Sequence, residues 1–202
     1  MLISYSLIFA IEYNSMASYK NNVKAIIEKY FKPNTLAYEF YSIHCKKVTT
    51  KAFEIADFNK NLSIHSETLY QSAMLHDIGI CMVNAPDIGC NGNLPYLAHG
   101  YKGREILEKE GLNNIAAVCE RHVGVGISKK EIIELNLELP HRDMIPVTDI
   151  EKLVCLADKF YSKSANSLKI EKSYEAIRMN LMKYGNDHLE KFNDLLKYFN
   201  MF

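Results

Sequence analysis

The stretch Ala73-Met74-Leu75-His76-Asp77-Ile78-Gly79-Ile80 decides how the rest of the chain is read. It places an imidazole and a carboxylate side by side inside an apolar run. A carboxylate in such a run is costly to bury unless it meets a cation. The run closes a predicted helix that begins near Ser66, whose hydroxyl suits an N-cap. Leu69 and Ala73 stand at i, i+4 on its buried side, and Gly79 offers a stop. Asp158 repeats the situation, because it follows Val154-Cys155-Leu156-Ala157.

Helical periodicity extends in both directions from there. Val23, Ile26, Ile27 and Tyr30 follow i, i+3, i+4, i+7 in a helix ending near Pro33. A second helix is predicted from about Leu36 to Asp57, with Phe40, Ile43, Val48, Ala52 and Ile55 on or near its buried side. Residues 80–97 hold Pro86, Gly89, Gly92 and Pro95 and are read as a long loop of the kind often used for function. Helices resume over about Leu97–Gly111 and Asn113–His122. Gly124 and Gly126 then break the chain. Ser128 with Glu131, and Thr148 with Glu151, form two capping boxes, the second opening a helix that carries Leu153, Leu156, Ala157 and Phe160. Helices over about Tyr174–Lys183 and His188–Phe199 close the chain. No strand or hairpin signal stands out. The predicted fold class is all-α, a compact bundle of roughly seven to nine helices.

The chain has 202 residues, 24 basic and 24 acidic, and is 48% hydrophobic, which fits one globular domain over 1–202. Its core is expected at about 20–165, with 166–202 as closing helices. Balanced charge argues against a dedicated nucleic-acid binder but leaves room for a small anionic ligand in a locally basic pocket. The five cysteines (Cys45, Cys81, Cys90, Cys119 and Cys155) are odd in number and form no CxxC pair, so they are read as reduced core residues. The apolar stretch over residues 1–15 is too short to span a bilayer and lacks the features of a signal peptide. It is either an extra helix or sequence upstream of a true start at Met16. With no other membrane candidate, the expected location is the cytoplasm. Oligomeric state is left open by the sequence.

His44, His76, Asp77, His99, His122 and Asp158 lie in or at the end of five different predicted helices. Helices around one core bring such side chains into a shared interior site, as metal-binding bundles do. A lone histidine on a helix is ordinarily a core or surface residue. Two carboxylates in apolar runs, with several histidines on other helices, are better explained by a shared metal.

In this ordered pattern the sequence resembles the HD-domain superfamily of metal-dependent phosphohydrolases. His44 resembles the first histidine, His76-Asp77 the defining doublet in its HDIG form, and Asp158 the terminal aspartate, over about residues 36–164. His99 and His122 place it near the subset with six ligands and two metals. The resemblance implies that His44, His76, Asp77 and Asp158 hold one ion, and that Asp77 bridges to a second held by His99 and His122. Four imidazoles and two carboxylates without a thiolate favour iron or manganese, with zinc, cobalt or nickel as further options. The implied reaction is hydrolysis of a phosphate ester or anhydride, of a nucleotide or dinucleotide, by a hydroxide bridging the metals. His76 and Asp77 would be central to it. Lys159, adjacent to Asp158, and Arg142, in the loop after Pro140, are the favoured phosphate-neutralising residues over Lys102, Arg104 and Arg121. His65, His141 and His188 fall outside the pattern and default to surface or structural roles. The Gly-Tyr-Pro element of cyclic-dinucleotide phosphodiesterases is absent, Gly100-Tyr101-Lys102 being only an echo. A di-iron oxygenase with the same ligands and a non-catalytic nucleotide-binding module stand as alternatives.

Overall fold

The computed structural model describes residues 5–164 and 167–201, with backbone alone for 5–17. Its long helices are α1 (Tyr5–Tyr30), α2 (Leu36–Phe58), α3 (Ser66–Leu75), α4 (His99–Lys109), α5 (Asn113–Arg121), α6 (Lys129–Glu134), α7 (Asp149–Lys159), α8 (Tyr174–Met182) and α9 (Asn186–Tyr198). The fold is therefore all-α and helical, as the periodicity predicts. From Tyr5 the N-terminal stretch is continuous with the periodic segment in one helix. Residues 1–4 lie outside the described residues.

Local signals explain several helix starts. Thr35 caps α2 by accepting a hydrogen bond from the Tyr38 amide, and both capping boxes form, at Ser128 for α6 and Thr148 for α7. The start of α3 differs from expectation. His65 occupies the cap with an extended backbone and no side-chain bond, and Ser66 is already the first helical residue.

Residues 80–97 also depart from the loop expected of them. A 3-10 turn (Ile78–Met82) leads into a two-residue antiparallel pairing of β1 (Asn84–Ala85) with β2 (Cys90–Asn91), joined by a second 3-10 turn (Pro86–Ile88), and a third (Tyr96–Ala98) leads into α4. Val83, Ile88 and Cys90 are buried, so the segment is anchored in the core rather than draped over it. A hairpin this short leaves no alternating pattern to read. Gly89, with φ of 78°, supplies its left-handed turn.

Two apolar clusters share α2 and α3. One joins Val48, Ala52, Leu69 and Ala73 to Leu153, Leu156, Phe160, Phe192 and Leu196 of the C-terminal half. The other joins Cys45, Leu75 and Ile78 to Val23, Ile27, Leu107 and Ile115. Their seam, where α2, α3, α5 and α7 meet, is where the buried polar side chains collect. No described helix is long and apolar enough to cross a membrane. All five cysteines are free, four of them buried.

Candidate metal centre

Five segments deliver the polar side chains at the seam. His44 projects from α2, His76 caps the C-terminus of α3, and Asp77 follows at the entry to the 3-10 turn. His99 opens α4, His122 caps the end of α5, and Asp158 sits in the last turn of α7. All six are buried, with exposures between 0% and 7%.

Helix ends orient the imidazoles. The Nδ1 of His76 lies 2.7 Å from the Ala73 carbonyl, that of His99 2.6 Å from Tyr96, and that of His122 3.3 Å from Val118. Each carbonyl accepts only if Nδ1 carries the proton, so in the neutral ring Nε2 presents the lone pair. Those three Nε2 atoms point at the aspartates.

Gly79 makes the arrangement possible, though not as a helix stop. Its φ is not in the left-handed range. A Cβ built there would lie 2.1 Å from the His99 carbonyl oxygen and 2.4 Å from the Gly103 amide nitrogen. The missing side chain lets the start of α4, with His99, press against the turn that carries Asp77.

Two donor groups result. In the first, His44 Nε2 lies 2.9 Å from Asp158 Oδ1 and 3.3 Å from Asp77 Oδ2, and His76 Nε2 lies 3.5 Å and 3.6 Å from Asp77 Oδ2 and Asp158 Oδ1. In the second, Asp77 Oδ1 lies 3.3 Å from His122 Nε2 and 3.5 Å from His99 Nε2. Those two nitrogens are 3.3 Å apart. Asp77 therefore turns one oxygen to each group.

The donor set fits divalent cations. His76 Nε2 and Asp77 Oδ1 are buried without a hydrogen-bond partner. Nitrogen donors about 2.0–2.1 Å from one cation stand ~3.0–3.4 Å from each other, the spacing found here. Burial, outweighing the opposing pull of Asp77, brings His99 down to about 3. Burial and Lys163 bring His44 down to about 4, and burial lowers His122. These three rings are neutral at neutral pH, the form that ligates. At His76 burial is outweighed by Asp77, and its pKa is raised. Burial would raise both carboxyls. Lys163 and His76 override it at Asp77, as Lys159 and Lys163 do at Asp158, and both stay ionised.

Lys163 is the residue that the sequence does not reveal. Its Nζ lies 2.9 Å from Asp77 Oδ2 and 3.9 Å from Asp158 Oδ1. It follows α7 in irregular chain, where no periodicity marks which way a side chain faces. Proximity in sequence to Asp158 is the only signal that could have found it. Lys159 Nζ lies 2.9 Å from Asp158 Oδ2.

The Arg142 guanidinium instead binds the carboxylate of Glu120 at 2.7 and 3.1 Å, and Arg104 binds the other oxygen of the same group. Glu120 is 1% exposed, and a carboxylate that deep needs cationic partners. Arg142 is thus drawn into a structural ion cluster and lies outside the lining of the cavity described next. Arg121 likewise binds Glu151, and Lys102 binds Glu105.

A cavity of about 490 Å³ opens onto this centre, touching His99, His122 and Asp158, with Lys159, Lys163 and Lys172 beside them. His188 also lines it, 3.5 Å from Glu131, whereas His141 is exposed and His65, also exposed, has its Nδ1 3.3 Å from Thr68 Oγ1.

Comparison with known proteins agrees with this architecture. The family model of the HD domain matches residues 41–162. An uncharacterized protein of Methanocaldococcus jannaschii is 36% identical over 118 residues, covering 57% of this chain and 62% of that protein. A tRNA (cytidine(56)-2'-O)-methyltransferase of Picrophilus torridus is 37% identical over 91 residues, covering 45% of this chain and 23% of that enzyme. The chain thus spans less than two thirds of the length of these curated relatives. No solved structure matches.

Proposed function

Because the chain belongs to the HD-domain family, within a superfamily of metal-dependent hydrolases, we propose that it is a phosphohydrolase with two divalent metal ions, iron or manganese, acting on a small phosphorylated substrate of the nucleotide class. The observation that carries this is the division of Asp77, Oδ2 toward His44 and His76, Oδ1 toward His99 and His122. A carboxylate has two oxygens to share in this way, whereas a neutral imidazole has one free nitrogen.

His44, His76, Asp77 and Asp158 would hold one ion, and Asp77, His99 and His122 the other. Such a pair, when bound, supplies Lewis acidity that activates water near neutral pH and neutralises phosphoryl oxygens. The protein's own side chains supply the rest. Nδ1 donation to backbone carbonyls keeps three rings fixed and raises the basicity of Nε2. Lys159 and Lys163 place ammonium groups beside the two aspartates, where they would bind phosphoryl oxygens. No protein nucleophile is called for, and the buried thiols do not supply one, since burial pushes Cys155 up to about 12.

The test is turnover by the manganese-loaded chain of a panel of nucleotides and simple phosphate esters without oxygen. Phosphate release that depends on the metal supports the reading. Activity only with iron, with oxygen consumed, would replace it by an oxygenase. Metal binding without turnover of any member would leave a binding module.

A further inference from the structure

The cavity beside the metal centre combines cationic and apolar groups. Of its cationic groups, Lys159 and Lys163 pair with the two aspartates, and Lys172 Nζ reaches the Tyr161 carbonyl just after α7. The wall supplied by α8, the chain between α5 and α6 and the chain just after α6 is largely apolar, built from Val123, Ile127, Leu137, Ile177 and Leu181. Leu135 and Tyr184 belong to the same lining and stand 64% and 68% exposed. Their apolar surface at the edge of the cavity is open to contact with a ligand.

The polar groups on that wall are engaged or loosely held. Glu131 Oε2 accepts from the Ser128 amide and hydroxyl and from Lys191 Nζ, while Oε1 faces His188 at 3.5 Å. Asn180 is exposed. A site that reads a base edge or a sugar presents fixed, unpaired donors and acceptors at set positions, and this wall has no such set among the described residues.

We propose that the substrate's organic part is an apolar or flat aromatic body, held against Ile177, Leu181, Leu135 and Tyr184 by contact area rather than by directed hydrogen bonds. This rests on the reading of the metal centre as the phosphoryl site. A phosphate ester of an aryl or alkyl alcohol, or a nucleotide bound through the face of its base, fits. A bare sugar phosphate does not. The cavity lies within the usual range of small-ligand sites, about 300–1,000 Å³.

Titration calorimetry of the manganese-loaded full chain tests this with two non-hydrolysable probes, 1-naphthylmethylphosphonate and methylphosphonate. Burial of the ring predicts about 30-fold or more tighter binding of the aryl probe. Leu135→Ser and Tyr184→Ser, both at exposed positions, should each cut that ratio by about 3-fold or more. Equal affinity for the two probes overturns the inference, as does a ratio unchanged in both variants. Turnover of 1-naphthyl phosphate is scored separately. An aryl preference without turnover removes the hydrolase and keeps the apolar site, whereas failure of both phosphonates to bind removes both.

Discussion

The Nε2 atoms of His99 and His122 face each other at 3.3 Å, and each ring has its Nδ1 turned to a backbone carbonyl. Two lone pairs at that distance repel unless a proton or a cation lies between them. Burial disfavours protonation of both rings. The pair is therefore built for a metal ion.

His122→Ala removes one side of that pair and leaves His44, His76 and Asp158 in place. The variant should bind one metal ion per chain instead of two, by elemental analysis of the purified protein. Unchanged stoichiometry would remove His122 from the ligand set. Asp77→Ala should lose both ions together with activity, because its oxygens serve both groups.

Lys163→Ala and Lys159→Ala take away ammonium groups but no ligand. Each should lower kcat/KM by about 10–100-fold, the loss typical of a single charge-stabilising donor or less, while metal content stays at the wild-type value. Wild-type kinetics in either variant would remove that lysine from the site.

Arg142→Ala separates a structural from a catalytic arginine. Glu120 keeps Arg104 in the variant, and Arg142 is 48% exposed, so the stability loss should be about 1 kcal/mol in denaturant unfolding. Steady-state kinetics should not change. A fall in kcat/KM at full metal loading would return Arg142 to the site.

Gly79→Ala forces a Cβ onto the His99 carbonyl and the Gly103 backbone, neither of which is a flexible side-chain end. The cost should be about 1–3 kcal/mol or more, as for overpacked cores. Because α4 is what must move, the ion held by His99 should weaken before the one held by His44. Wild-type stability and metal affinity would mean that the contact is not tight.

Much of the helix pattern and the polar residues set in apolar runs were legible, and the reasons are local. His76, Asp77 and Asp158 stand out because polar groups interrupt apolar helical runs. Thr148 and Ser128 announce helix starts through chemistry confined to four residues. What escaped the sequence depends on tertiary pairing. Arg142 and Arg104 are committed to Glu120, a partner more than fifteen positions from either. Lys163 reaches Asp77 only because the chain folds back after α7. The strands at Asn84–Ala85 and Cys90–Asn91 are too short to leave a period. Gly79 reads as a stop in one dimension and as a close approach in three.

The pH dependence of stability offers a check away from the metals. Burial would raise the Glu131 carboxyl, but Lys191 and Ser128 outweigh it and hold it at about 2, below its ordinary 4.5. A depressed carboxyl stabilises above its unfolded value and loses that contribution as pH falls through its folded value. The Tm gap between wild type and Glu131→Gln should therefore be widest above pH 4.5 and narrow steadily toward pH 2. A gap constant over that range would contradict the ion pair with Lys191.

Elemental analysis of the wild-type chain, purified without oxygen and then dialysed against Fe²⁺ or Mn²⁺, bears most directly on the whole account. Two ions per chain, with one remaining in His122→Ala and none in Asp77→Ala, is the predicted result. A wild-type chain that takes up no divalent cation would contradict it.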